Sequence, residues 1–536
     1  MGQFKFLALC GLTLSSFIPQ VVAAPHSCPD GLCLVTRTNV SNDQVSRELG
    51  PLLSCGSKIF GPEDPNFAES TTRFQAFQPP NIELVVQVAR ERDVSTAIRR
   101  TNATKISYAD RNSLPFYVTN RRHGLAVSQG SFSGIQIDVT QLQNITISED
   151  GTYALFQGGT YDQQVIEYLW ERGYVTSHLL TWPISTATGS CACVGMLGPG
   201  LGGGHGRYQG LYGLISDNIR SLNVVLANGT EIYVSNTSHP DLYWGMQGAG
   251  HNFGAVTSFE LNIFPRLVDT WYFKNYLYTE DKLEELFERL NTLDNMGTQP
   301  AELMNFGFFH VNTEFNETHL TSTKPLIWWS FSYAGPQADA EAYLGPFDSL
   351  GPINVTDGNV PYPEALHAVG TGLDDPMCDH GVNHIVGTAG TQLYNITTQR
   401  AVFELFREKI AEHPGLVATY VVMEAYSLGA VLAKDPDSSA FPMRDDYLLL
   451  QISANYLPDP SLDAPALEWA QQTIDLWNEG QPERRPTTYV NYGLGTESLE
   501  SIYGYEPWRL ERLRDLKRRY DPYNKFRYYV PLIRDD

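Results

Sequence analysis

Eight of the eighteen residues in Gly189–Gly206 are glycine, and Cys191, Cys193 and His205 punctuate the run. No other stretch constrains the chain as much. Glycine at that density costs backbone entropy unless the chain must turn through left-handed angles or lie close against something flat. A flexible linker would be Gly/Ser-rich without interspersed Cys, Val, Met and Leu. The stretch therefore reads as a binding loop. It contains a literal Gly-x-Gly-x-x-Gly at Gly198–Gly203, with Asp217 nineteen residues on. A Rossmann reading fails, because Pro199 and further glycines replace the helix and Asp217 precedes a strand instead of ending one.

The N-terminus reads as a cleaved secretory signal over residues 1–23. Lys5 opens it, Phe6 to Ile18 is apolar, and Val21-Val22-Ala23 is a small-residue cleavage site. No later stretch reaches about 18 uninterrupted apolar residues, so no membrane partner is expected. Eight Asn-X-Ser/Thr sequons, at Asn39, Asn102, Asn144, Asn228, Asn236, Asn316, Asn354 and Asn395, fit a secreted, glycosylated surface. The net charge of −23 argues for solubility and against nucleic acid. Cys10 leaves with the signal. Cys28, Cys33, Cys55, Cys191, Cys193 and Cys378 remain, and six cysteines in a secreted chain point to disulfides of open connectivity.

Beyond a loop-rich arm over 24–72, Glu83–Ala89 reads as a strand, Asp93–Thr104 as a helix, and Leu114–Thr119 as a strand. That strand runs into Asn120-Arg121-Arg122-His123-Gly124, a usual place for a nucleotide phosphate, with two solvated arginines as the competing reading. Gly134–Val139 and Tyr153–Gln157 read as strands and Gln163–Arg172 as a helix. Asn228-Gly229 joins two strands in a hairpin, and Asp241–Thr257 holds a second glycine cluster. From about 267 amphipathic helices (Thr279–Leu293, Gln399–Glu412, Ala464–Asn478) alternate with the strands Leu326–Tyr333 and Tyr447–Ala454, a separate α+β domain. The aromatic run in Leu326–Tyr333 reads as sheet core. Asp375, Cys378, Asp379, His380 and His384 invite a metal, but Pro376 and Gly381 deny them one helical face, and no metal is expected. A basic helix runs from Pro507 to Tyr520, followed by Asp521-Pro-Tyr-Asn524-Lys-Phe526.

Together these stretches resemble the berberine bridge enzyme-like flavin oxidases, a branch of the vanillyl-alcohol-oxidase, PCMH-type flavoproteins. The resemblance spans about residues 73–536, and secreted fungal isoamyl-alcohol-oxidase-like members look closest. It implies an α+β fold: a two-subdomain PCMH-type FAD-binding domain over 73–266, an antiparallel-sheet substrate domain covered by helices over 267–487, and a closing segment over 488–536. FAD is the implied cofactor, bonded through His123 and Cys191. His123 ends a loop in which the family has two glycines where this chain has Arg121 and Arg122, followed by Gly124. Gly195, Gly198, Gly202, Gly203, Asn218, Gly250, Gly254 and Val256 match further FAD contacts. Val194 matches a position where a small side chain admits O2. Two covalent links would leave two disulfides and one free thiol, with Cys378 or Cys193 as the candidates.

Tyr492, the second tyrosine of Tyr489-Val-Asn-Tyr, matches the usual catalytic base. A tyrosine of ordinary pKa is a poor base at neutral pH, so its neighbours are expected to lower it. His205 stands where the family has Tyr, and Gln451 aligns with a polar residue facing the flavin; with Tyr489 they complete the expected catalytic group. The implied activity is hydride abstraction from a C–OH carbon and reduction of O2 to H2O2, by a monomer whose partners are a small substrate and O2. Two alternatives are an oxidative cyclase on the same fold and a low-turnover flavoprotein that binds a ligand.

Overall fold

The computed structural model describes residues 42–98, 100–102, 105–107, 115–175, 188–311 and 324–534. The signal segment, Cys28, Cys33, Asn39 and Asn316 lie outside the described residues.

Two small sheets form the first half. In one, Asn81–Gln87 and Phe116–Thr119 flank Ser133–Asp138, both parallel to it, and Lys58–Phe60 adds an antiparallel edge. The helix Glu91–Ile98 supplies the crossover between the parallel strands. It stops at Ile98, short of the expected Thr104, because Arg100–Asn102 and Lys105–Ser107 pair as a hairpin. β-branched Thr101 and turn-forming Asn102 favour that outcome over helix. The other sheet is antiparallel, in the order Glu231–Ser235, Ile219–Val225, Ala255–Asn262, Tyr153–Gln157, Ile145–Ile147. Its first pair is the expected hairpin, with Gly229 at φ +77° in the turn.

The second half is built on a seven-stranded antiparallel sheet. Its order is Asn354–Val360, Trp271–Tyr278, Leu326–Tyr333, Leu303–His310, Tyr420–Tyr426, Leu448–Tyr456, Asn383–Thr391. Strand periodicity assigns each side chain to one of two faces. Val421, Met423, Ala425, Leu448, Leu450 and Ile452 join Trp329 and Phe331 in a core against four helices. Those helices are Leu283–Asp294, Gln337–Asp348, Ile396–Glu412 and Pro460–Glu479. Their contributions include Phe287, Leu344, Phe403, Phe406 and Trp469. The alternate residues Val422, Glu424, Tyr426, Leu449 and Gln451 therefore face away from the helices. There Tyr426 and Leu449 pack with Phe441 and Tyr489. That face carries the site.

The C-terminal helix Pro507–Tyr520 returns to the first half, packing Leu510, Leu513 and Leu516 with Leu242, Trp244 and Phe253. No helix among the described residues is long and apolar enough to cross a membrane.

Candidate active site

Three loops converge at one end of the large sheet. Arg121 donates from Nε to the Cys193 carbonyl (3.1 Å), and a Cβ on Gly195 would sit 2.8 Å from Asn120 Nδ2. Glycine at 195 leaves room for the Asn120 side chain where the His123 loop and the Cys191 loop touch. A disulfide between Cys193 and Cys378 ties both to the segment leading into Asn383–Thr391. Neither Cys193 nor Cys378 is thus the free thiol; among the described residues Cys55 and Cys191 are free.

His123 Nδ1 lies 3.0 Å from the Arg121 carbonyl, while His380 Nε2 approaches the same oxygen at 3.3 Å. His123 stacks on Phe74, whose ring also stacks with His384 at 4.0 Å. Burial, then the neighbouring His380, pushes His123 down to about 3, so it is a neutral imidazole. The pentad considered for a metal is otherwise engaged. Cys378 is oxidised, Asp375 accepts from Gly372 N, and His384 Nδ1 meets Asn455 Oδ1 at 2.7 Å.

Arg122 sits at φ +61°, the left-handed region that a glycine enters without cost. Its guanidinium reaches Asp138 (3.4 Å) and the Thr72 carbonyl (3.1 Å), so its charge is spent on holding the loop. Replacing it by glycine relieves about 1 kcal/mol of backbone strain but removes the charge facing the buried Asp138 Oδ2, at about 2 kcal/mol, while Thr140 still donates to Oδ1. Arg122→Gly is therefore expected to destabilise by about 1 kcal/mol at pH 7. The loss should shrink in acid as Asp138 protonates, and urea melts at two pH values check it.

The second group lies on the face of the sheet turned away from the helices. Tyr492 donates from Oη to Glu424 Oε2 (2.9 Å), and Tyr426 donates to Glu424 Oε1 (3.3 Å). Ser190 Oγ lies 3.1 Å from Tyr426 Oη, joining this chain to the cysteine loop. His205 packs edge-on to Tyr489 (4.8 Å), which packs edge-on to Tyr492 (5.0 Å). His205 Nδ1 meets Gln209 Oε1 at 2.9 Å, and burial pushes the ring down to about 4. Asn491 Nδ2 donates to Tyr489 Oη (2.7 Å) and to the Pro199 carbonyl (2.9 Å), fixing the segment to the glycine loop. Gln451 is buried on the same face, in register with Val422 and Thr388.

The acidities correct one expectation. Burial, then the Glu424 carboxylate, raises Tyr492 above its ordinary value, so its neighbours do not make it the stronger acid. Burial lifts Glu424 to about 7. Tyr492 and Glu424 thus form a hydrogen-bonded pair in which Tyr492 is the donor. Sequence reading missed Glu424. The available signal was period-two alternation in Tyr420–Tyr426, which puts an acid on the sheet face turned away from the helices.

Other expected contacts have structural duties. Gly203 and Gly204 turn at φ +107° and +84°. A Cβ on Gly202 would sit 2.5 Å from Val490 Cγ1. Gly250 donates to the Leu201 carbonyl, closing the two glycine clusters on each other. Asn218 Nδ2 donates to the Tyr212 and Leu214 carbonyls. Gly254 lies against Val224 and Val225, and Val256 is paired with Val224. Gly198 meets no side chain that would demand glycine. Asp217 pairs with Arg444 at 2.7 Å, which removes it as a ribose ligand. Buried His123 Nε2, His205 Nε2 and Asn218 Oδ1 find no hydrogen-bond partner among the described residues. Such orphaned atoms beside a glycine-built loop fit a bound polar cofactor.

Residues 82–235 match the FAD binding domain family. The FAD-linked oxidoreductase anuG of Penicillium roqueforti is 54% identical over 524 residues, 98% of each chain. The chain belongs to the FAD-linked oxidoreductases. Its fold is shared with the glucooligosaccharide oxidase of Acremonium strictum (TM-score 0.74, 17% identity, 91% of this chain and 98% of that one). It is shared also with the BBE-like 1 protein of Physcomitrella patens (TM-score 0.71, 16% identity, 92% and 100%). This oxidoreductase thus joins a half matched by the FAD binding domain family to a seven-stranded antiparallel sheet.

Proposed function

We propose that the protein is an FAD-linked oxidase that removes a hydride from a hydroxyl-bearing substrate carbon and uses O2 as acceptor, yielding H2O2. The observation that carries this reading is the half-buried Tyr492–Glu424 hydrogen bond on the sheet face beside Tyr489 and His205. FAD, when bound, supplies the two-electron acceptor and passes the electrons to O2. The chain does the rest. Tyr492 takes the substrate hydroxyl proton as its own proton moves to Glu424. Tyr426 steadies the carboxylate, neutral His205 and Gln451 orient the substrate, and the aromatic wall of Tyr489 and Phe441 excludes water.

His123 and Cys191 would hold the cofactor covalently, with Arg121 and the glycine loop around its phosphates. Val194 leaves room for O2. The Acremonium oxidase is described as carrying a 6-S-cysteinyl, 8α-N1-histidyl FAD, which supports the same pair of bonds in this chain. Secretion, as a glycosylated monomer with small-molecule partners only, is part of the reading. The sequons at Asn144, Asn228, Asn236, Asn354 and Asn395 are all exposed.

Acid precipitation tests the attachment. Flavin is expected in the pellet of the wild type and of the single variants His123→Ala and Cys191→Ala, and in the supernatant of the double variant. Flavin in the wild-type supernatant would refute both bonds, and peroxide release over an alcohol panel tests the reaction itself.

A further inference from the structure

Cys191 is a free thiol packed against a disulfide. Its Sγ lies 3.6 Å from Cys193 Sγ and 3.9 Å from Cys378 Sγ, contact distance to both bonded sulfurs. These are the cysteines that close on one another among the described residues. These distances set Cys191 Sγ beside the S–S bond rather than on its axis, so either exchange asks the Cys191 side chain and its loop to swing in line with the bond that breaks. The loop is docked whichever cysteine is paired, because Ala192 between them donates its N–H to the Thr371 carbonyl (2.9 Å). The partner side is equally fixed: Cys378 Sγ lies 3.2 Å from the Gly372 carbonyl.

We propose that Cys191, Cys193 and Cys378 form one thiol–disulfide exchange site, in which Cys191 and Cys193 compete for Cys378. The step is isoelectronic. Cys191 loses its proton to solvent and its sulfur bonds to Cys378 Sγ. The Cys193–Cys378 bond breaks, and Cys193 leaves as a thiolate that takes up a proton. One disulfide replaces another, and no oxidant or reductant is consumed. The covalent staple between the cysteine loop and the 372–384 segment survives, but the roles of the two cysteines are exchanged. The alternative attack, on Cys193, closes a Cys-x-Cys ring and releases the staple, so it is the less favourable branch.

The consequence for the active site rests on the reading of Cys191 as a cofactor anchor. Only the Cys193–Cys378 pairing leaves Cys191 able to bond a flavin carbon; the Cys191–Cys378 pairing buries Cys193 as the free thiol and leaves His123 as the single anchor. Pairing thus sets the number of cofactor bonds. Exchange in the closed protein is slow. Burial first, with Asp162 and Asp375 adding to it and Arg207 opposing, keeps Cys191 a thiol, and the thiolate is the attacking species. The choice is therefore made during folding and held afterwards.

The test is peptide mapping of the full-length holoprotein after alkylation in acid without reduction. In Cys193→Ser, Cys191 and Cys378 are expected as a cystine peptide, with flavin on the His123 peptide alone and the fraction of Cys191 carrying flavin reduced about ten-fold or more. Free, alkylated Cys191 and Cys378 in that variant, with flavin bound, would overturn the proposal. Should the variant not fold, the wild type is refolded from denaturant at pH 8.5 with FAD and a mixture of reduced and oxidised glutathione, and mapped in the same way. Cystine peptides of both pairings are then expected in the fraction whose Cys191 lacks flavin, and Cys193–Cys378 alone would overturn the proposal. The two readings fail separately. Exchange observed with no flavin ever on Cys191 sinks the anchor role and leaves exchange standing. Flavin on Cys191 in both wild type and Cys193→Ser does the reverse.

Discussion

Glu424→Gln is expected to lower kcat/KM by about 10²–10⁴, the usual worth of a positioned proton acceptor, while flavin loading stays at the wild-type level. The amide keeps an oxygen for the Tyr492 hydroxyl, so the 2.9 Å contact can persist. What it cannot do is take the proton. The pH profile separates this from a packing defect. Burial holds Glu424 near 7, so wild-type kcat/KM should fall as pH drops through about 7. That acid limb should vanish in Glu424→Gln. Stability moves the other way. The folded-state acidity of Glu424 is raised above its unfolded value of about 4.3, so the native state binds the proton more tightly. Stability from this group is full below the unfolded value and is lost as pH rises towards 7. The glutamine variant therefore escapes that loss and should melt no lower than wild type at pH 8. A variant that keeps wild-type kcat/KM and its acid limb would remove Glu424 from the reaction.

The physics of local sequence explains what could be read without coordinates. The glycine loop, the Asn228-Gly229 hairpin and the amphipathic helices are dictated by backbone conformation and period, and each stands where the sequence places it. Arg122 shows the limit of motif reading. Its left-handed φ is the reason glycine suits the position, but its bond to Asp138 depends on a strand sixteen residues away. The Tyr492–Glu424 pair shows a deeper limit. Glu424 and Tyr492 are 68 residues apart and meet only because the sheet register and the return of the closing segment coincide. Their acidities follow from shared burial, which no single motif encodes. The helix drawn through Asp93–Thr104 overran for the same kind of reason: propensity up to Ile98 was correct, and pairing of the next residues overrode it.

Breaking the Lys517–Asp521 pair should be the most costly single change to stability outside the apolar core. Both side chains are fully buried, with Nζ 2.7 Å from Asp521 Oδ2. The ammonium spends its other two protons on the Asn252 carbonyl (2.7 Å) and the Phe526 carbonyl (2.8 Å). Asp521 also accepts the backbone N–H groups of Lys525 and Phe526 (2.9 and 2.8 Å). This explains the closing Asp-Pro-x-Asn-x-Phe stretch physically: it ends the helix and supplies the partner of a buried cation. Asn252 belongs to the second glycine cluster and accepts from Leu532 N (3.1 Å), so one network fastens the tail to the FAD-binding half. Lys517→Met leaves a buried carboxylate uncompensated and is expected to cost about 3–5 kcal/mol, as is Asp521→Asn. The double variant should cost less than the sum of the two by about 0.5–3 kcal/mol, since the second substitution removes a charge already stranded. Denaturant melts measure all three. Activity per folded molecule should be unchanged, because the pair bonds to none of the residues that bear on substrate. A single substitution costing less than about 1 kcal/mol would mean that water reaches the pair and that packing of Leu510, Leu513 and Leu516, not the ion pair, holds the tail in place.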